Sequence, residues 1–262
     1  MRIATWNLKQ AMKPNRSPAE LWSWAEKQID PSVIVFTEAK VPDTGVPDGW
    51  SAVWNPDGVA HDRKIWGTVI AGRGVELDKV THVRTGFRRR TITPMFRGAV
   101  EVVDVYESNS FWGTVIGLYA VNRDLRGNKH GNGQYSLTRS LEELDPLIRD
   151  RRRGRLILAG DLNLLPIDVQ GMVEPYGFTD LVAATAHARP ALAGCKRCNL
   201  GKECGHMWTH RNGNSPGASV QNIDYMYGNE IALSEVLEVS GGIRDFPDAW
   251  EMSDHAPVVA DF

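Results

Sequence analysis

The chain has 262 residues, of which 42% are hydrophobic and 24% are charged, a composition typical of a globular protein with room for one large α/β domain or two small ones. A net charge of -2 excludes a global positive field for nucleic acid, so any basic surface must be local. No apolar run is long enough to span a bilayer, and the N-terminus lacks a signal-peptide core, so we expect no membrane association and a cytoplasmic location.

Apolar and alternating runs of residues predict a chain rich in strands. Ser17 begins a helix as its N-cap, because Pro follows it and Glu comes three residues later. Leucines at helical spacing predict a second helix over 137–148. The strands at 66–71 and 75–80 are expected to pair around Gly72. In chain order, the predicted strands are residues 2–8, 32–37, 50–54, 66–71, 75–80, 99–106, 110–119, 155–159, 207–210, 222–227, 233–240 and 257–262.

Residues 155–163, RLILAGDLN, predict a buried strand that ends in a turn. Gly160 allows the backbone to turn sharply and leaves room for a ligand to approach. Asp161 and Asn163 are two residues apart, so both side chains can point the same way. Taken alone, this stretch is better explained as a plain turn, since Asp and Asn are favoured there.

Other polar residues also stand at the ends of predicted strands, and together they indicate a metal site. Four carboxylates and one imidazole that converge would repel one another without a cation. Their ligand atoms are oxygens apart from the His nitrogen, which favours Mg²⁺ or Mn²⁺ over zinc. Such a cation beside a His–Asp pair is typical of phosphate-ester hydrolysis. The set comprises Asn7, Glu38, Tyr119, Asp161, Asn163, Asp224, Asp254 and His255.

Two arginine-rich runs have different interpretations. Residues 83–97 contain five arginines and no acid, Arg88, Arg89 and Arg90 among them. That run fits a solvated face, and it fits binding of a phosphate backbone equally well. The run over 149–155 follows a predicted helix, where cations suit the helix dipole, so we assign it a structural role.

All three cysteines, at Cys195, Cys198 and Cys204, lie within ten residues and are followed by His206. Their odd number and the lack of a secretion signal argue against a disulfide framework. Three thiols and an imidazole match a tetrahedral zinc site. We therefore predict a zinc-stapled insertion over 187–206, with His210 as the alternative fourth ligand, while chance clustering of reduced thiols is the other explanation.

Six short motifs, in this order along the chain, resemble the endonuclease/exonuclease/phosphatase superfamily. They are TWN at 5–7, FTEAK at 36–40, GLYAVN at 117–122, GDLN at 160–163, NIDY at 222–225 and SDHAPV at 253–258. The resemblance implies a single domain over 1–262 with the DNase I-like fold, a four-layer α-β-β-α sandwich of two mixed sheets flanked by helices. It also implies a divalent-metal-dependent phosphodiesterase.

The same resemblance implies a role for each residue of the site. Glu38 is expected to be the principal Mg²⁺ ligand, with Asn7 and Asp254 in or just behind that shell. Asp161 is expected to activate the attacking water and Asn163 to fix it. His255, oriented by Asp224, is expected to contact the scissile phosphate, and Tyr119 to donate to the phosphate or the leaving group.

The Tyr-x-x-Asn spacing of Tyr119 and Asn122 is similar to the exonuclease III and AP-endonuclease branch, which implies DNA as the substrate. Asn122, Arg88, Arg89 and Arg90 are then the candidate substrate contacts, and we expect a monomer. A phosphatase or phosphodiesterase acting on a small molecule or lipid headgroup is the alternative function, and a catalytically silent binding module is a second one.

Overall fold

The structure is a computed structural model that describes residues 1–9, 16–55, 66–85, 88–122, 133–150, 154–185, 207–213 and 218–262. The strands in chain order are β1 (Arg2–Asn7), β2 (Val33–Ala39), β3 (Trp50–Trp54), β4 (Gly67–Arg73), β5 (Glu76–Lys79), β6 (His82–Thr85), β7 (Arg88–Thr91), β8 (Val100–Glu107), β9 (Ser110–Leu118), β10 (Arg155–Asp161), β11 (Thr179–Asp180), β12 (His210–Asn212), β13 (Ser219–Gln221), β14 (Asp224–Gly228), β15 (Glu238–Gly241) and β16 (Val258–Asp261). The helices are α1 (Pro18–Gln28), α2 (Gln134–Ile148), α3 (Pro166–Val173), α4 (Leu181–Ala184), α5 (Glu230–Glu235), α6 (Gly242–Asp245) and α7 (Ala249–Met252), with a 3-10 turn over Glu174–Tyr176.

Twelve of these strands form two six-stranded sheets. The first sheet has the order β15-β16-β1-β2-β4-β3, in which β1 and β2 run parallel and the other neighbours antiparallel. The second has the order β11-β14-β10-β9-β8-β5, in which β9 and β10 are the parallel pair. Both sheets are therefore mixed, and each carries its parallel pair near the centre.

Three apolar clusters hold the layers together. Side chains from both sheets, including Val35 and Ile157, fill the space between them. Helix α1 buries Leu21 and Trp22 against the outer face of the first sheet, and α2 buries Leu141 against the outer face of the second. This arrangement confirms the predicted four-layer sandwich.

The start of α1 forms as predicted. The Ser17 hydroxyl accepts from the Glu20 backbone amide, and the Glu20 carboxylate accepts from the Ser17 amide at 2.9 Å. This reciprocal cap satisfies two backbone donors that the helix itself cannot pair, a contribution of about 1 kcal/mol.

Three strand predictions were wrong. The segments predicted to pair around Gly72 are β4 and β5, which belong to different sheets, because the chain crosses from the first sheet to the second at Gly74 with a φ of 71°. The strand predicted over 233–240 begins only at Glu238, since its first three residues belong to α5, which Asn229 caps by accepting from the Ala232 amide. The strand predicted over 207–210 begins only at its last residue. Among the described residues, no helix is long and apolar enough to cross a membrane.

Candidate active site

The polar residues predicted to form a site come together at one end of the sandwich. Asn7 ends β1 and Asp161 ends β10, while Glu38 is the penultimate residue of β2. Tyr119 directly follows β9, and Asp224 begins β14 as the register partner of Asp161. The two central parallel pairs thus deliver their carboxyl ends to the same place, which is why short motifs distant in sequence meet.

Asp161 lies at the centre of this site. Its two carboxylate oxygens accept from the Asn163 backbone amide and from the Asn7 side-chain amide, both at 2.8 Å. Burial, reinforced by the negative charges of Asp224 and Glu38, raises the pKa of Asp161 to about 8 despite the nearby His255. The carboxylate is therefore fixed in direction and has the proton affinity of a base that works near neutral pH.

Gly160 makes this placement possible. Its φ is 149°, and a side-chain Cβ there would lie 1.8 Å from the Leu118 carbonyl oxygen. Any other residue would push β10 away from β9 and displace the Asp161 carboxylate. The sequence analysis assigned Gly160 to a turn with room for a ligand, but it lies inside β10, and glycine is needed there because the neighbouring strand approaches closely.

His255 is held by an acid on one side and faces the site on the other. Its Nδ1 donates to the Asp224 carboxylate at 2.8 Å, and its Nε2 lies 4.0 Å from an Asp161 oxygen. Burial lowers the pKa of His255, but Asp224, Asp161 and Asp254 outweigh it and raise it to about 10. The ring is therefore an imidazolium at neutral pH, with its Nε2–H directed into the site. The Trp6 indole donates to the His255 carbonyl at 2.9 Å and fixes the backbone behind it.

Glu38 and Tyr119 form a second pair. The Tyr119 hydroxyl donates to a Glu38 carboxylate oxygen at 2.7 Å. Burial raises the pKa of Glu38, and the Tyr119 hydrogen bond opposes that rise. Glu38 has a φ of 44°, where the pairing of β2 with β4 shifts register, so the backbone is strained in a way that aims this side chain.

Asp254 joins the site with two neighbours, Lys9 and His210, that the sequence analysis did not place in the active site. The Lys9 ammonium lies 2.5 Å from one Asp254 carboxylate oxygen. The Nε2 atom of His210 lies 3.9 Å from the same oxygen, and its ring packs on His255 with 4.4 Å between ring centroids. Burial and the charge of His255 lower the pKa of His210. His210, the alternative zinc ligand of the sequence analysis, therefore lies in the candidate active site.

The predicted substrate contacts divide into two groups. Asn122 joins the site, because its amide donates to the Asn163 side-chain oxygen at 3.2 Å. Arg89 and Arg90 are exposed on the β6–β7 hairpin, where Arg89 contacts the His82 ring at 3.2 Å. The backbone of Arg88 lies in the same hairpin. The hairpin packs through Val83 into the cluster around α2, and substrate contact by its arginines stays a prediction.

The predicted zinc ligands Cys195, Cys198, Cys204 and His206 lie outside the described residues, as does the proposed insertion over 187–206. Zinc binding there stays a prediction.

The charges at the site fit a divalent cation. Buried carboxylate oxygens of Asp224 and Asp254, one on each residue, have no hydrogen-bond partner among the described residues. Burial and mutual repulsion raise the pKa values of Glu38 and Asp161, so both carboxylates would bind protons readily unless a metal neutralised them. Oxygen donors of this kind suit Mg²⁺ or Mn²⁺.

No family profile matches the sequence, and no curated protein is detectably similar to it. Solved structures match over the whole chain. The 3'-5' exonuclease NExo from Neisseria meningitidis is 19% identical with a TM-score of 0.67, and the match covers 100% of this chain and 99% of that one. The chain has the DNase I-like fold.

Two further neighbours share that fold. An AP endonuclease from Archaeoglobus fulgidus is 17% identical with a TM-score of 0.63, covering 100% of this chain and 99% of that one. TDP2 from D. rerio, in complex with a single-strand DNA product, is 14% identical with a TM-score of 0.64, covering 99% and 97%. These likenesses concern the fold, and they confirm the sandwich that the short motifs implied.

Proposed function

We propose that this protein is a divalent-metal-dependent phosphodiesterase that hydrolyses nucleic acid, with DNA as the preferred substrate. The observation that carries the proposal is the buried Asp161 carboxylate, which is fixed by Asn7 and Asn163 and lies 4.0 Å from the Nε2 atom of His255. A fixed base beside a fixed imidazolium suits attack of water on a phosphate. The choice of DNA is supported by neighbours named as a 3'-5' exonuclease and as an AP endonuclease.

Glu38, Asn7 and Asp254 would hold the metal, which we expect to be Mg²⁺ or Mn²⁺. When bound, such an ion neutralises phosphate charge and makes water a better nucleophile. Lys9 already neutralises part of the Asp254 charge, with its ammonium 2.5 Å from that carboxylate. The ligand set therefore contains two different carboxylates. Glu38 has no ion-pair partner among the described residues, whereas Lys9 partly balances the charge of Asp254.

The chain's own residues divide the remaining work. Metal binding would favour the deprotonated form of Asp161, which then accepts the proton of the attacking water, while Asn163 orients that water through its amide. His255 donates from Nε2 to a phosphate oxygen, while Asp224 holds its Nδ1–H at 2.8 Å and keeps the ring charged. Burial and the charge of Glu38 raise the pKa of Tyr119 well above its ordinary value, so its hydroxyl keeps its proton. That proton is donated to Glu38 at 2.7 Å, and it would pass to a phosphate oxygen once a metal engaged the Glu38 carboxylate.

A substrate panel tests this proposal. Wild-type protein is incubated with Mg²⁺, with Mn²⁺ or with chelator, on plasmid, single-stranded DNA, abasic duplex, RNA and an aryl phosphodiester. We expect metal-dependent cleavage of at least one DNA, and loss of that cleavage in Glu38→Gln but not in Glu76→Gln, an exposed acid on β5. Turnover of the aryl phosphodiester alone would favour the small-molecule function instead, and cleavage that persists in chelator would contradict the metal role.

A further inference from the structure

A cavity of about 390 Å³ opens beside the active site at the edge of the first sheet. The side chains of Trp54 and Trp66 line it, together with Lys40, Asp43 and Asn55. Both tryptophans are partly exposed rather than buried in the core. We refer to this space as the tryptophan cavity.

The tryptophan cavity shares a wall with the catalytic residues. The Trp66 ring packs edge-on against Tyr119, with 5.2 Å between ring centroids and an interplanar angle of 89°. Tyr119 in turn donates to Glu38 at 2.7 Å. The backbone gives the same result, because Gly67 pairs with Ala39, the residue that follows Glu38. A group in this cavity would therefore lie next to a phosphate bound at Glu38.

The chemistry of the lining selects a flat ring with a polar edge. Tryptophan faces stack on aromatic rings, and base stacking of this kind tolerates every nucleobase. Asn55 and Asp43 lie on the same lining and suit hydrogen bonds to the edge of a base. Lys40 supplies a positive charge two residues after Glu38, where the phosphate attached to that base would pass.

The overall charge gives base stacking a part in affinity. The net charge is -2, so the chain has no global positive field that would attract a phosphate backbone. Contact with a base adds affinity that does not depend on such a field.

We propose that the tryptophan cavity binds an unstacked nucleobase of the nucleotide adjoining the scissile phosphate, so that single-stranded or unpaired DNA is the preferred substrate. This inference rests on the proposed phosphodiesterase function. A paired base would first have to leave its stack and its partner, which disfavours intact duplex.

The test uses single-stranded oligonucleotides with one cleavable phosphodiester among nuclease-resistant linkages. The nucleotides beside that linkage carry either thymine or an abasic tetrahydrofuran. For wild type we expect the base to raise kcat/KM by about 5- to 150-fold, mainly through KM, which is the range for one stacked base. Trp54→Ala should bring the ratio of the two substrates close to one, and Trp54→Phe should restore most of it.

Two features of this design keep the result interpretable. Both substrates are compared on the same preparation, so a partly unfolded Trp54→Ala sample changes both rates equally and leaves their ratio intact. Phe111→Ala removes another exposed aromatic, at the start of β9, and should keep the wild-type ratio.

The outcomes separate this inference from the function on which it rests. Metal-dependent hydrolysis with equal kcat/KM for thymine and abasic substrates would overturn the tryptophan cavity as a base site and leave the phosphodiesterase function standing. A wild-type preference that Trp54→Ala retains in full would also overturn it. Failure to cleave any oligonucleotide with Mg²⁺ or Mn²⁺ would overturn both.

Discussion

The stability of the metal-free protein should fall as pH rises through neutrality. The folded-state pKa of Asp161 is about 8, above its ordinary value of 3.8, so between these values the folded protein holds a proton that the unfolded chain has released. The pKa of His255 is raised from 6.5 to about 10, so its stabilising effect is complete below 6.5 and is lost as pH rises towards 10. As pH rises from 6.5 to 8, the free energy of unfolding therefore falls through both groups.

The magnitude follows from proton linkage. One group that holds an extra proton in the folded state changes the free energy of unfolding by about 1.4 kcal/mol per pH unit. If both groups titrate independently in the same pH window, the change per pH unit is about twice that value, which is the upper limit. Because the two groups are coupled, we expect the free energy of unfolding to change by roughly 1–3 kcal/mol per pH unit. His210 has a lowered pKa and acts with the opposite sign, but only below its ordinary value of 6.5.

Urea unfolding in chelator at a series of pH values from 6 to 8.5 measures this slope. Asp161→Asn should make the slope of the free energy of unfolding against pH shallower by about the contribution of one group. Hydrogen bonds lost in the variant shift the whole curve, so they do not affect a comparison of slopes. Asp78→Asn, an exposed acid on β5, is the matched control and should keep the wild-type slope. Excess Mg²⁺ should flatten the wild-type profile, because metal binding favours the deprotonated carboxylates. A free energy of unfolding that stays constant or rises between pH 6.5 and 8 would refute the reasoning.

Three further predictions concern single residues. Glu38→Gln should lower kcat by at least about 1,000-fold with an unchanged circular dichroism spectrum. The substitution removes the charge of the principal metal ligand, which is worth several kcal/mol in the transition state. Near-normal turnover would remove Glu38 from the mechanism. His255→Ala should be as damaging as Asp161→Asn in steady-state kinetics, and Asp224→Asn milder, since Asp224 acts only through the imidazole; full activity in His255→Ala would contradict this. Purified protein should contain about one equivalent of zinc that Cys198→Ser loses, and metal analysis without zinc in wild type would end that hypothesis.

The carboxylate site was largely predictable because strand ends place it. Asn7, Glu38 and Asp161 each end or nearly end an apolar run, and the carboxyl ends of neighbouring parallel strands must meet at one edge. Glu38 lies inside β2 rather than after it, because a register shift lets the strand continue through a residue with positive φ. Sequence patterns do not encode such a shift.

The contacts of Asp254 could not be predicted in the same way. Lys9 follows Asn7 by two residues and reaches Asp254 only because its φ is 54°, an uncommon conformation for a lysine. The sheet crossing at Gly74 was missed for a related reason. The run over 75–80 alternates like a strand of either sheet, and only its antiparallel pairing with β8 shows that it belongs to the second.

His210 links the zinc hypothesis to the active site through the backbone that follows the cysteines. Met207 is buried between the sheets, and the Thr209 hydroxyl accepts from the Asp224 backbone amide at 3.2 Å. The Thr209 carbonyl accepts from the Ala256 amide at 2.6 Å, so this segment supports both members of the His255–Asp224 pair. Because His210 packs on His255, recruiting it as a zinc ligand would remove that contact, whereas His206 would leave it intact. We therefore expect zinc loss in Cys198→Ser to reduce activity in part, through Asp224 and His255, while the metal ligand Glu38 is unaffected.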